Sequence, residues 1–251
     1  VRDAINARII AHKAKESMEE VTVFYAKDRM GRKPVEGDLR CTLWNQPSKV
    51  TKDFLGCLPL FRGMRVMITE NIAFGRRLVN GSEGTVQKLL YNVIDGMAYA
   101  TVAYVHVPGA GQVCDDLDVD IVPIFPKSKS FKVKTVKADG KCGPKRSVAR
   151  TQLPLIPAYA YTDYKSQGKS LTHAIVDLES AQSLQGMYVM LSRVRTLRRL
   201  LVLRGFSAAK LCQRLSEEMR VELHRIDALA ESTRDRFERS RRTSTLVAPA
   251  G

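Results

Sequence analysis

The chain has 251 residues, enough for one or two domains, and 44% hydrophobic content is enough for a core. Lys and Arg number 41 against 26 Asp and Glu, a net charge of +15 that points to a polyanionic partner, nucleic acid before a membrane surface. Five scattered cysteines without a CxxC pair argue against a disulfide framework or a zinc site, and no apolar run reaches membrane-spanning length.

Residues 2–21 place Ile5, Ile9, Ile10, Ala14 and Met18 at helical spacing, and residues 22–26 are β-rich. The chain starts at Val1 inside this helical pattern, so it is expected to be a piece of a longer polypeptide. Residues 31–50 are broken by Gly and Pro and read as a loop or linker, with Trp44 expected to pack. Short β-rich runs follow at 64–68, 85–91, 99–107 and 119–125, with the hairpin dipeptides Asn80-Gly81 and Asp95-Gly96. That spacing indicates a small barrel or sandwich, and Gly81 and Gly84 are expected at turns needing positive φ. Residues 127–150 are strongly basic, with Phe131, Val133 and Val136 set among lysines. They read as a hairpin or edge strand, with Lys132 and Lys134 on a phosphate-tracking surface.

Residues 153–206 organise the rest. Apolar runs at 173–178 and 200–203 read as strands buried on both faces, and 180–194 has helical spacing through Leu184, Met187, Met190, Leu191 and Val194. Strand, helix, strand predicts an open α/β sheet, whose ligand sites lie beyond the carboxyl ends of the strands. Asp163, Lys165, Ser166, Gln167 and Gly168 precede the first strand, and Ser192 and Arg193 end the helix. A glycine beside Lys and Ser can turn backbone N–H groups to a phosphate, and Arg can clamp one bidentately. These residues therefore suggest an anion or nucleotide site at a sheet edge. Gly168-Lys169-Ser170 resembles the end of a phosphate-binding loop, but Asp163 stands where that loop needs its first glycine, so the match fails. Residues 207–230 form an amphipathic pattern through Leu211, Leu215, Met219, Leu223, Ile226 and Ala230, expected to pack into the core. Residues 233–251 are polar and basic and read as a disordered tail.

The order KSQGxSL (Lys165, Ser166, Gln167, Gly168, Ser170, Leu171), Asp177-Leu178, then QGxYVxLSR (Gln185, Gly186, Tyr188, Val189, Leu191, Ser192, Arg193) resembles motifs V and VI of superfamily 1B DNA helicases. The likeness is to the PIF/RecD-like branch, including the helicases of Helitron-type transposons. Tyr164 departs from it, standing where the family usually has histidine before KSQG. The resemblance implies an α/β fold in which a RecA-like parallel-sheet lobe, the second of two, carries an inserted SH3-like all-β subdomain. The expected divisions are residues 1–57 and 153–232 for the lobe, 58–152 for the insertion with its basic hairpin, and 233–251 for the tail. Leu78, Val79, Asn80, Gly81 and Gly84 match the insertion's LVNGxxG element, and the segment starting Arg2-Asp3-Ala4-Ile5-Asn6 matches the stretch after motif IV.

The resemblance further implies an ATP-dependent DNA helicase that translocates on single-stranded DNA, with ATP and Mg²⁺ held mainly by an N-terminal RecA-like lobe. Arg193 takes the place of the arginine finger, a group worth roughly 10³–10⁵ in rate in such motors. Gln167, Gly168 and Arg2 are its expected companions at ATP, with Asn6 near them. Lys165, Ser166, Tyr164, Asn80, Arg76, Lys132 and Lys134 are the expected nucleic-acid contacts, with Tyr161 and Tyr164 able to stack on bases. No metal ligands, no membrane and a nuclear or mitochondrial place are expected. No phosphate loop is visible, so this chain alone is expected not to hydrolyse ATP. The rival is a non-catalytic single-stranded nucleic-acid-binding remnant of a transposon helicase. A basic ribosome- or RNA-associated protein is a third reading.

Overall fold

The computed structural model describes residues 1–136 and 142–246. The chain divides into two compact units, Val1–Tyr161 and a second starting at Thr162. Strands from both sides of 57/58 and of 152/153 join common sheets.

In the first unit, helix α1 (Arg2–Glu16) precedes β1 (Thr22–Tyr25), β2 (Lys27–Met30) and β3 (Lys33–Pro34). Helices α2 (Gly37–Trp44) and α3 (Ser48–Thr51) follow, in the stretch expected to be a loop. Then come β4 (Cys57–Leu60), β5 (Arg65–Ile68), β6 (Glu83–Ile94), β7 (Met97–His106), β8 (Ile121–Ile124), β9 (Lys127–Val136), β10 (Cys142–Gln152) and β11 (Leu155–Pro157).

Seven of these strands share a sheet in the order β11-β5-β6-β7-β1-β4, with β8 on β7. Its pairings are antiparallel except β1 beside β7, joined in parallel at Phe24 and Ala98. Asp95 and Gly96, both at positive φ, turn the long β6–β7 hairpin as their dipeptide predicts. Phe24, Leu58, Leu60, Val66, Ile68, Val105 and Ile124 fill the core. Helix α1 adds Ile10 and Ala14. Its buried face also includes Asn6, whose carboxamide donates to Ala160 O and accepts from Ala160 N–H, each at 2.9 Å. Met18 lies past the helix end at φ +54 and is 94% exposed, so the expected stripe stops at Ala14.

A second sheet, β3-β2-β10-β9, is antiparallel throughout and lies over Val35, Leu43, Phe131, Val133 and Val148. The basic stretch is therefore a hairpin, with its lysines alternating against buried Phe131 and Val133 on the edge strand β9. Residues 137–141 of that stretch lie outside the described residues. Arg150 is fully buried in this region, bidentate to Asp28 at 2.7 Å through both Nε and Nη2. It also donates to Phe54 O and Leu43 O. Trp44 is packed as expected, with its indole N–H donating to Ala26 O at 3.0 Å.

The second unit contains α4 (Asp163–Ser166), β12 (Ala174–Val176), α5 (Leu184–Leu191), β13 (Leu200–Val202) and α6 (Glu217–Leu246). β12 and β13 pair in parallel with α5 between them in sequence, the strand–helix–strand unit expected from the apolar runs. Val176, Leu178 and Met187 form its core. Only one face of the pair is covered: Ile175 is 67% and Leu201 60% exposed, where burial on both faces was expected. Helix α6 also departs from expectation. It continues through residues 233–246, expected to be disordered, as the extension of a helix whose first half carries the i,i+3 pairs Glu217–Arg220 and Glu222–Arg225. Its apolar stripe is exposed rather than packed in a core. Residues 247–251 of the expected tail lie outside the described residues. Among the described residues no helix is long and apolar enough to cross a membrane.

Candidate functional site

The residues of the second unit converge on one turn. Thr162 begins α4, one short helical turn, and Gly168 follows its end at φ +77, a conformation that glycine adopts without strain. Helix α5 is capped at its start by Ser183, whose Oγ accepts the Gly186 N–H at 3.1 Å. Gly186 faces α4 so closely that a Cβ there would lie 2.9 Å from Asp163 Oδ2. The short α4 can therefore sit against α5, and the residue after the α5 C-cap, Arg193, meets the α4 turn.

Arg193 is half-buried, and its guanidinium joins the two segments. Nε donates to Val189 O at 2.7 Å, and Nη1 donates to Ser166 O and Lys169 O, both at 3.0 Å. Nη2 donates to Ser192 Oγ at 2.8 Å. Four of the five N–H donors of the fork are thus committed within the unit. Its own carbonyl accepts the Leu171 N–H at 2.8 Å, and Leu171 and Val194 form a parallel bridge. The structure therefore brings Arg193 and the 165–168 turn together. The partners it gives Arg193 are carbonyl oxygens and a hydroxyl, with no carboxylate among them.

The other residues of the turn differ in access. Gln167 and Gly168 are exposed, Tyr164 is 82% exposed, and Lys165 is half-buried. Ser166 is buried, and its Oγ donates to Asp163 O at 2.7 Å, so the hydroxyl serves the turn itself. Asp177, at the carboxyl end of β12, receives Arg204 Nε and Nη2 at 2.8 and 3.0 Å. The Arg204 guanidinium holds the Asp177 carboxyl below its ordinary range. Sequence reading matched Asp177 but gave no sign of its partner, which lies 27 residues on.

In the first unit, Arg2 pairs with Asp3 at 2.8 Å and donates to Ser48 Oγ. Asn6 is buried and bonded to Ala160 through both its carboxamide nitrogen and oxygen. Arg76 and Asn80 lie on one exposed loop. The Arg76 guanidinium donates to Gln112 O, and the Asn80 N–H donates to Asn71 Oδ1 at 2.9 Å. Phe74, in the same loop, is 75% exposed beside Arg76 and Arg77. An aromatic ring among cations is a stacking candidate that the sequence reading passed over, because nothing local marks this Phe as uncovered. Tyr161 is only half-exposed, packed by Met67, Ile156 and Ala158, and burial pushes its phenol up.

Lys132 and Lys134 stand on the solvent face of the second sheet. Lys134 pairs with Lys145 and Lys132 with Ser147, and the register continues through Ala149–Arg29 and Thr151–Lys27. Lys27, Arg29, Lys132, Lys134 and Lys145 are therefore exposed on one face. The sequence marked the basic stretch 127–150 but not Lys27 and Arg29, since β2 is joined to this sheet from more than a hundred residues away.

Gln167, Gly168 and Arg193 present an exposed amide, an open left-handed turn and a cation, groups suited to phosphate oxygens. Among the described residues no group of three His, Cys, Asp or Glu side chains could hold a metal ion.

No family model matches the chain, and no curated protein matches it in sequence. Solved structures do match it in fold. The Pif1 helicase from Candida albicans is 24% identical with a TM-score of 0.52, over 89% of this chain and 47% of that one. The Pif1 helicase from Bacteroides in complex with ADP-AlF3 and single-stranded DNA is 20% identical with a TM-score of 0.53, over 89% and 43%. The Bacteroides Pif1 bound to single-stranded DNA is 21% identical with a TM-score of 0.52, again over 89% and 43%. The chain thus has the mixed α/β fold of part of a Pif1-like helicase and spans less than half the length of these helicases.

Proposed function

We propose that this chain is the second-lobe portion of an ATP-dependent DNA helicase that moves on single-stranded DNA. The carrying observation is the seat of Arg193 on the 166–169 turn, in a chain whose fold follows Pif1 helicases over 89% of its length. ATP, held with Mg²⁺ mainly by a phosphate-loop lobe, supplies the phosphoryl transfer. The residues of this chain supply position and charge.

Arg193 reaches the γ-phosphate by exchanging Ser166 O and Lys169 O for phosphate oxygens. That exchange frees the 166–169 turn, so charge on the nucleotide is felt at Lys165 and Tyr164, which contact the strand. Gln167 and Gly168 line the nucleotide side. Phe74, Arg76 and Asn80 offer a stacking ring and polar groups, while the Lys132–Lys134 face holds phosphates without reading sequence. This reading follows from the motif order, the shared fold and the basic surface together.

The experiment is ATPase and DNA binding measured on the chain alone and on the chain reconnected to a phosphate-loop lobe. The chain alone binds oligo-dT but shows no DNA-stimulated turnover. In the reconnected enzyme, Arg193→Ala keeps DNA affinity within a few-fold and lowers kcat by roughly 10³ or more. Equal loss of affinity and turnover removes Arg193 from the finger role.

A second reading is a single-stranded nucleic-acid-binding remnant with no ATP chemistry. The commitment of four of the five Arg193 donors within the unit favours it, since a guanidinium bonded in this way is a stable structural element without any nucleotide. Unchanged DNA affinity with no ATPase even after reconnection selects this second reading.

A further inference from the structure

We propose that helix α6 pairs antiparallel with the same helix of a second copy of this chain. Met219, Leu223, Ile226, Ala230, Thr233 and Phe237 recur at alternating spacings of four and three, the seam of a two-stranded coiled coil. The seam is uncovered: Leu223 is 42%, Ile226 47% and Phe237 63% exposed. Isolated helices in water draw little stability from propensity alone, so an exposed seam of this length calls for a partner.

Two observations choose a reversed copy of the same helix. The first is size. The seam is large at both ends and small toward the middle, and Ile226, Ala230, Thr233 and Phe237 line one depression on the helix surface. Reversing a second copy about Ala228 sets Ile226 against Ala230, Leu223 against Thr233 and Met219 against Phe237, large against small in the inner layers. A parallel copy would stack Ala230 on Ala230 and Thr233 on Thr233, leaving voids, and would press Phe237 on Phe237.

The second is charge. Residues 217–231 hold five acidic and two basic side chains, a net −3. Residues 232–241 hold four basic and two acidic ones, a net +2. A reversed copy lays each acidic half beside a basic half, whereas a parallel copy sets like halves together. The uncovered face of β12 and β13 in the same unit is a competing seat for the stripe. It is short and apolar, and answers neither the size pattern nor the charge division.

The test is the mass of the whole chain by sedimentation equilibrium, with helicity followed by circular dichroism. A dimer of twice 28.1 kDa is expected, weakening as salt rises. Ile226→Glu should weaken it about 100-fold by placing a charge in the seam. Ala230→Ile should weaken the dimer, since two isoleucines then meet, and the exchange Ile226→Ala with Ala230→Ile should restore it. A parallel dimer predicts the reverse, because Ala230→Ile would fill its void. Strengthening by Ala230→Ile, or a monomer at every concentration with α6 still helical, overturns the proposal. In the monomer case, protection of Ile226 and Phe237 from an apolar dye assigns the stripe to its own chain. If Ile226→Glu unfolds the helix, Arg234→Glu with Arg236→Glu serves instead. Loss of the dimer in that variant, with helicity kept, supports the charge pairing, and its persistence refutes it.

Discussion

A Cβ on Gly56 would lie 2.2 Å from Trp44 Cα, and one on Gly84 would lie 2.6 Å from His106 O. Gly84 was expected to serve a turn; it sits instead in β6, at no positive φ, where only the close neighbour strand excludes a side chain. Gly81, at φ +96, does serve the expected turn. The two glycines look alike in sequence because close approach is a property of the neighbour. Arg150 has the same character. Within residues 127–150 it reads as one more surface cation, yet it is the one sealed against Asp28. Arg150→Met should cost about 3–5 kcal/mol in urea unfolding, because it leaves the Asp28 carboxylate buried and unpaired. Arg150→Met combined with Asp28→Leu should recover a large part of that loss. A single variant as stable as the parent would mean that water reaches Asp28.

Among the elements, the β12–α5–β13 unit and the β9–β10 hairpin were legible because their signals are local: short apolar runs, helical spacing, lysines alternating with Phe and Val. The α2 and α3 helices were hidden by the Gly and Pro residues that bound them. Asp177 and Arg204 clasp the ends of β12 and β13, and the pair carries a pH signature. Arg204 depresses the Asp177 pKa, so the pair's contribution is full above the unfolded-state value of about 4 and fades as pH falls through the lower folded value. Asp177→Asn should therefore reduce stability by a constant amount from pH 5 to 7, and the difference should begin to shrink near pH 4 and close only once pH is below the lowered folded value. A difference that persists undiminished at pH 2 would assign the loss to something other than this charge. The cationic face of β2, β9 and β10 gives another measurable quantity. Binding of oligo-dT should lose roughly 0.7 in the slope of log affinity against log salt for each of Lys132, Lys134 and Lys145 changed to Ala. Unchanged slopes would show that the strand runs elsewhere.

At the scale of the molecule, class and motif order were legible, and the long-range strand pairings were not. Sheet membership is decided by pairings such as β1 with β4 and β2 with β10, which join segments that the sequence assigned to different parts. The Asp28–Arg150 clasp is the extreme case, with 122 residues between its halves. On a ribosome adding about 5–20 residues per second, Asp28 emerges some 6–24 s before Arg150 exists to meet it. The first sheet can begin to collapse in that interval while Asp28, whose strand belongs to the second sheet, still keeps its hydration shell. Synthesis rate, and any holdase that shelters the nascent strand, therefore bear on how much of this polypeptide reaches its native state.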